Sequence, residues 1–328
     1  MSATMPSHST TAPDYEVVIC TYNGALFIGE QLSSILAQQP APAGVIISDD
    51  GSTDDTLAVI EAQAHSSTVP VRIIQGPGKG IIQNMLSALK HTRANYVFLA
   101  DQDDMWMDNK APLFCEQMRE TSAPHLIFSN AWVWRPGQKL KTSLWEADGL
   151  KPENAHDPQK LAFHNAVQGA SACVNQALIQ ALKPHPDIAM HDWWLGLIAA
   201  GTGEVSVVEQ PTLLYRQHAG NQVGVQAQRT HSGGPIERLK QKRAASGIVL
   251  RQALAFAQLY AQELPSPQSD FFKAYATAIT SSVLQRLGFL LKWRPVRKNL
   301  LRTLTLWLSI LGTRCAPRPQ NPEQPETR

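Results

Sequence analysis

The sequence predicts an α/β fold: a mostly parallel sheet flanked by helices, with a helical extension at the C-terminal side. Two observations carry the prediction. Strand-like, loop-like and helix-like segments alternate three times within the first hundred residues, and polar residues gather after each strand. Ligands of such sheets sit at the carboxyl ends of the strands, so chemistry is expected in those loops.

Residues 1–14, rich in Ser, Thr and Pro, are expected to be disordered. Tyr15–Cys20 (YEVVIC) is a β-branched run that ends at the turn-like Thr21-Tyr22-Asn23-Gly24. In FIGEQLSSILAQ, Phe27, Leu32, Ile35 and Leu36 lie near helical spacing, and Pro40 and Pro42 stop the helix. Gly44–Ser48 (GVIIS) reads as a buried strand and Asp49–Asp54 as its loop. Thr53 or Asp54 would cap the helix DTLAVIEAQA that follows. VRII gives a third strand, GPGKG a glycine loop, IIQNMLSALKHT a third helix, and Tyr96–Ala100 a fourth strand that runs into DQDD. From about residue 125 the pattern is mixed: LIFSNAWVW and EVSVVEQPTLLYRQH read as strands, DWWLGLIAAG as a helix. The sheet domain is thus expected over 15–230. Residues 235–312 read as basic amphipathic helices broken at Pro265 and Pro267, and 313–328 as a disordered, Pro-rich tail.

With 328 residues, 43% hydrophobic and 17% charged, the chain has a globular composition and material for one large domain or two. Disorder throughout and a collagen-like repeat are excluded. Cys20, Cys115, Cys173 and Cys315 lie far apart with no C-x-x-C, which excludes a zinc ribbon or a dense disulfide scaffold. No basic patch followed by an apolar stretch opens the chain, so a cytoplasmic location is expected. No apolar run reaches the roughly 17–25 residues of a spanning helix, and Arg302 interrupts the best candidate. Residues 1–234 hold 14 Lys/Arg against 22 Asp/Glu; residues 235–328 hold 15 against 5. The acidic part suits metals or cationic groups, the basic part a membrane surface, nucleic acid or an anionic acceptor.

Four motifs carry chemistry. DQDD at 101–104 sets three carboxylates after a buried strand, where they repel one another unless a cation compensates them. Acidic oxygens favour a hard ion, Mg²⁺ or Mn²⁺, which also prefers phosphate oxygens; the plainer alternative is capping of the next helix. In DDGSTD at 49–54, Asp50 can accept from a base N–H or from ribose hydroxyls, or the segment is an ordinary Asp-Gly turn. HDWW at 191–194 opens a helix after a Pro-rich turn, so Asp192 is either a general base or that helix's cap. In YRQH at 215–218, His218 is a candidate metal ligand and Arg216 a phosphate contact. GPGKG lacks the spacing of a nucleoside-triphosphate loop.

Taken together these residues resemble the family 2 glycosyltransferases, inverting enzymes of the GT-A fold that use nucleotide-diphosphate sugars. The resemblance rests on VVICTYNGALFIGEQLSSIL, ISDDGSTDDT, GPGKGIIQNM, FLADQDDMW, GASACVNQAL, HDWWL and LLYRQHAGNQVG, in family order from residue 15 to 225. FIGEQL, DQDDMW and YRQHAGN look most like the bacterial rhamnosyltransferase subgroup of polysaccharide assembly. The resemblance implies that Thr21 and Asn23 line the nucleotide site and that Asp50 binds the base. It makes Asp101 and Asp103 a D-x-D touching the ribose and a metal-bound diphosphate. Asp192 would be the catalytic base, and Gly169–Ser171 would lie beside the sugar. The family often has Glu-Asp where this chain has His191-Asp192.

The implied reaction moves a sugar, with rhamnose as the candidate, from a dTDP- or UDP-sugar to a hydroxyl of a saccharide or lipid-linked saccharide. A divalent cation would neutralise the leaving diphosphate. Nucleic acid is not an expected partner. An anionic membrane surface is, through the C-terminal helices, with Trp293 and Trp307 at the interface and the protein at the inner face of the membrane. Two other classes compete. A sugar-nucleotide nucleotidyltransferase should carry a Gly-rich, basic N-terminal loop, which VVICTYNGALF lacks. A non-catalytic binding module has no need of Asp192.

Overall fold

The computed structural model of the chain describes residues 14–218, 235–297 and 300–315. Four strands, β1 (Tyr15–Thr21), β2 (Gly44–Asp49), β3 (Val71–Gln75) and β4 (Tyr96–Asp101), alternate with α1 (Ile28–Leu36), α2 (Thr56–Ser66) and α3 (Ile81–Ala88). There follow β5 (Met105–Trp106), α4 (Lys110–Cys115), β6 (His125–Trp134), α5 (Leu144–Asp148), α6 (Pro158–Leu161), β7 (Ala172–Asn175), α7 (Gln176–Ala181), α8 (His191–Thr202) and β8 (Glu204–Arg216). The C-terminal helices are α9 (Pro235–Tyr260), α10 (Gln268–Thr280), α11 (Val283–Trp293) and α12 (Leu300–Gly312).

The sheet runs β3-β2-β1-β4-β7-β6-β8-β5. Its first four strands are parallel, as expected from the repeated strand–helix alternation. Beyond β4 the sheet is mixed: β7 is antiparallel to β4 and β6, β6 and β8 are parallel, and β5 pairs antiparallel to β8. Side chains of a strand alternate between faces, and both faces here are covered, which is why Val17–Cys20 is a continuous apolar run. Val17 and Ile19 pack with Ile28, Leu32 and Ile35 of α1, while Val18 and Cys20 pack with Met85 and Leu86 of α3.

Neither β5 nor β7 was expected from the sequence; two and four residues are too short for a periodic signal. The capping expectation for α2 also needs correction. Its N-cap is Asp55, which makes no side-chain cap bond, and Asp54 accepts instead from the Thr56 N–H at 3.1 Å.

The C-terminal helices do not form a separate body. Trp194 of α8 meets Phe256 and Tyr260 of α9 edge-on, and Phe163 meets Phe271 and Tyr275 of α10, so one core runs across both regions. Trp293 and Trp307, expected to face a membrane, turn inward. The Trp293 ring packs on Phe271 at 5.4 Å, and the Trp307 indole N–H donates to the Pro295 carbonyl at 2.8 Å. Large rings gain from packing against other rings, and an indole N–H also gains from a partner such as the one Trp307 finds. Two boundary expectations shift as well. The Asp14 carbonyl accepts from the Tyr96 N–H at 3.3 Å, and buried Cys315 donates its N–H to the Ile279 carbonyl at 3.1 Å. The expected disorder of 1–13 and 316–328 falls outside the described residues. All four cysteines are free thiols.

Candidate active site at the carboxyl edge of the sheet

Strand register brings the motif residues together. Thr21 is the β1 partner of Asp49 at the end of β2, and Cys20 is the partner of Asp101 at the end of β4. Three adjacent parallel strands therefore deliver Thr21, the DDGSTD loop and the DQDD loop to one edge.

Short polar side chains stitch these loops. Asp49 folds its own turn, accepting from the Gly51 and Ser52 N–H groups at 3.2 and 2.9 Å. Asn23, in the left-handed region at φ 48°, accepts at Oδ1 from the Thr53 N–H at 2.8 Å, tying the β1 loop to the β2 loop. Asp50 reaches the glycine loop after β3, where each carboxylate oxygen accepts one backbone N–H, from Gly78 and Gly80, both at 2.7 Å. Gly80 itself has φ 82° and starts α3, so GPGKG serves as a backbone cradle for Asp50. Gln102 closes the other side: its Oε1 accepts from Thr21 Oγ1 at 2.7 Å and from the Tyr22 N–H at 2.9 Å. Sequence reasoning treated Gln102 only as the spacer of a D-x-D, and nothing in the motif marks it as a clamp.

The three acids of DQDD have three different settings. Asp103 is four-fifths buried and its Oδ2 meets His218 Nε2 at 2.7 Å; the His218 ring stacks on Phe27. Burial, then the charges of Asp103 and Asp192, raises the Asp101 carboxyl to about 7. Burial, then the charges of Asp103 and Asp101, pushes Asp104 well above the ordinary carboxyl range, and its Oδ1 accepts the Arg216 N–H at 3.0 Å. Beneath the loop, the fully buried Lys110 ammonium lies 4.7–5.7 Å from the rings of Phe114, Trp106 and Phe98, and burial lowers it to about 7. Arg216 is enclosed between Phe27 and Trp134, donates Nε–H to the Asp103 carbonyl at 2.7 Å and is paired with Glu30. In this geometry its guanidinium holds the acidic loop from behind.

Asp192 sits on the first turn of α8, whose N-cap is Met190, so it is not the cap. Its Oδ2 accepts the Gly169 N–H at 2.9 Å, and its Oδ1 accepts from the Trp193 N–H at 2.6 Å and Asn165 Nδ2 at 3.3 Å. A carboxylate offers about four acceptor sites, and the protein takes three of them here. Gly169 fits tightly against this helix end: a Cβ there would lie 2.8 Å from His191 Nε2 and 3.3 Å from Asp192 Cβ. Ser171 is fully buried and donates to the Ser129 carbonyl at 2.8 Å, so it braces the 169–171 turn. The 169–171 turn that bonds Asp192 also packs against β4, whose end carries the DQDD loop.

Among the described residues no three His, Cys, Asp or Glu side chains form a ready-made metal cage. The donors nevertheless fit a hard divalent cation. Such sites take one or two protein carboxylates and complete their shell with phosphate oxygens and water. Asp103, Asp101 and His218 supply oxygen and imidazole donors, and the mutual repulsion of the acids calls for a cation. The residues after His218 in YRQHAGNQVG lie outside the described residues.

Comparison with known proteins agrees with this architecture. The family described as Glycosyl transferase family 2 matches residues 16–167. The chain is 27% identical over 220 residues to the dTDP-rhamnosyl transferase RfbG of Shigella flexneri, spanning 63% of this chain and 73% of that one. Among solved structures, S. aureus TarS 1–349 in complex with UDP-GlcNAc aligns with a TM-score of 0.54 at 15% identity, covering 91% of this chain and 80% of the other. The mannosyltransferase PcManGT from Pyrobaculum calidifontis, in complex with GDP-Man and Mn²⁺, aligns at 0.50 and 18% identity, covering 90% and 79%. The fold is therefore GT-A, with the helices α9–α12 added, and over residues 16–167 the chain is similar to glycosyl transferase family 2.

Proposed function

We propose that the protein transfers a sugar from a nucleotide-diphosphate donor to a hydroxyl of a saccharide or lipid-linked saccharide, with inversion at the anomeric carbon. The observation that carries the reading is convergence: Thr21, Asp50 and the DQDD loop lie at one edge of the sheet, and the start of α8 is tied to the 169–171 turn that packs on β4. Thr21, Asn23 and Asp50 line the nucleotide side, Asp101 and Asp103 the ribose and diphosphate, and Gly169 the sugar. Asp192 takes the proton of the acceptor hydroxyl as that oxygen bonds to the anomeric carbon. The bond from that carbon to the diphosphate oxygen breaks in line, and no covalent enzyme intermediate forms. Asp103, Asp101 and His218 would hold Mg²⁺ or Mn²⁺, which supplies charge for the departing diphosphate.

The Shigella flexneri relative, by its name a dTDP-rhamnosyl transferase, makes dTDP-rhamnose the first donor to test. UDP-sugars follow, because TarS was solved with UDP-GlcNAc. The protein would work at the inner face of the cell membrane, in cell-surface polysaccharide assembly. A thermal-shift screen of dTDP-, UDP- and GDP-sugars, each with and without Mn²⁺, tests the reading. One nucleotide class should stabilise the protein, and more strongly with Mn²⁺. A melting temperature unmoved by every donor would contradict it.

A further inference from the structure

Among the described residues, the large apolar side chains left exposed are concentrated on the two outermost helices. Leu284, Leu287 and Leu291 recur at helical spacing on α11, and Leu301, Leu304 and Leu308 do so on α12. Leu284 is 79% exposed, Leu301 75% and Leu308 70%. The opposite sides of the same helices are committed to the core through Phe289 and Leu290, and through Leu306 and Ile310. The two helices pack against each other. Each therefore has one apolar stripe buried and a second that nothing in the described chain covers. A surface of that kind marks an interaction site.

Charge selects the occupant. Residues 271–315 contain eight Lys or Arg and no Asp or Glu. Lys292 and Arg294 are exposed beside the leucine rows. A second copy of the chain docking face to face about a two-fold axis would set cations against cations, with no carboxylate in this segment to answer them. An anionic lipid surface supplies both complements, acyl chains for the leucines and headgroup charge for the cations. No helix of the described chain is long and apolar enough to cross a membrane, so the helices would lie in the plane of the interface.

We infer that the exposed leucine rows of α11 and α12, with their flanking cations, form a docking surface for an anionic membrane. The inference rests on this surface and not on the sugar chemistry, so vesicle binding and donor turnover fail separately. The test is flotation of the full chain with vesicles of phosphatidylcholine alone or mixed with phosphatidylglycerol, at low and high salt. Binding should require the anionic lipid, weaken with salt, and fall at least about tenfold in Leu284→Glu/Leu301→Glu, whose sites are too exposed to disturb the core. Circular dichroism checks that the variant is folded. Should it unfold, Lys292→Glu/Arg302→Glu decides by the same criterion. Absence of flotation overturns the inference, as does undiminished flotation of a folded variant. So does a lipid-free dimer that the leucine substitutions convert to monomer, since a second copy would then own the face.

Discussion

At the carboxyl edge of the sheet, Asp49, Asp50 and Asp192 each accept backbone N–H groups at 3.2 Å or less. Along α11 and α12 there is no carboxylate at all, and Lys292 and Arg294 stand at the surface next to leucines. The first region fixes each charge with directional bonds in a low-dielectric setting, where a misplaced group is costly. The second spreads its charge over flexible side chains, where only sign and density count. Recognition of a small donor needs the former, and a fluid, extended partner needs no more than the latter. Single substitutions should therefore be decisive at the sheet edge and weak on the helices.

The largest effect should come from Asp192→Asn. It should lower kcat by about 10²–10⁴, the usual contribution of a positioned base, while leaving donor affinity unchanged. Steady-state kinetics with a donor-binding titration separates the two, and an equal loss of affinity would point to a structural role. Next is Asp50→Ala, which frees the Gly78 and Gly80 N–H groups and removes the proposed base contact. Charge-assisted bonds of this kind contribute roughly 1.5–3 kcal/mol, so nucleotide affinity measured by calorimetry should fall about 10- to 100-fold. Gly169→Ala adds only a methyl group, but it would press on His191 and on Asp192 Cβ. A loss of about tenfold in kcat with nucleotide affinity intact is expected, since small misplacements of a catalytic group are costly. On the helices, Lys292→Glu should leave turnover of a water-soluble acceptor within about twofold. A larger change would break the contrast between the two regions.

That contrast also explains what the sequence made legible. The strands β1, β2 and β4 were readable because a strand covered on both faces is a largely apolar run, and Asp-Gly and glycine loops punctuate the segment. DQDD and HDWW were readable as acids in unusual places. Their supports were not: Asn165 and Gly169 reach Asp192 from 27 and 23 residues away, and chain folding alone brings them there. Arg216, read as a phosphate contact, is turned to Glu30 and the Asp103 carbonyl, because a guanidinium enclosed by two rings needs partners within the protein. On the C-terminal helices the amphipathic pattern was visible, but it could not say which apolar residues face inward. Trp293 and Trp307 pack half-buried against the core, and the leucines are left outside.

The central claim is that the DQDD loop and Asp192 form one metal-assisted transfer site. Release of nucleoside diphosphate from dTDP-, UDP- and GDP-sugars, followed with purified protein with and without Mn²⁺, tests it most directly. One donor class should be turned over, chelation should stop the reaction, and Asp103→Asn should reduce it at least about 100-fold, the scale of losing a principal electrostatic stabiliser. Turnover that survives both chelation and the Asp103 substitution, or no turnover of any donor by the intact protein, would contradict the claim.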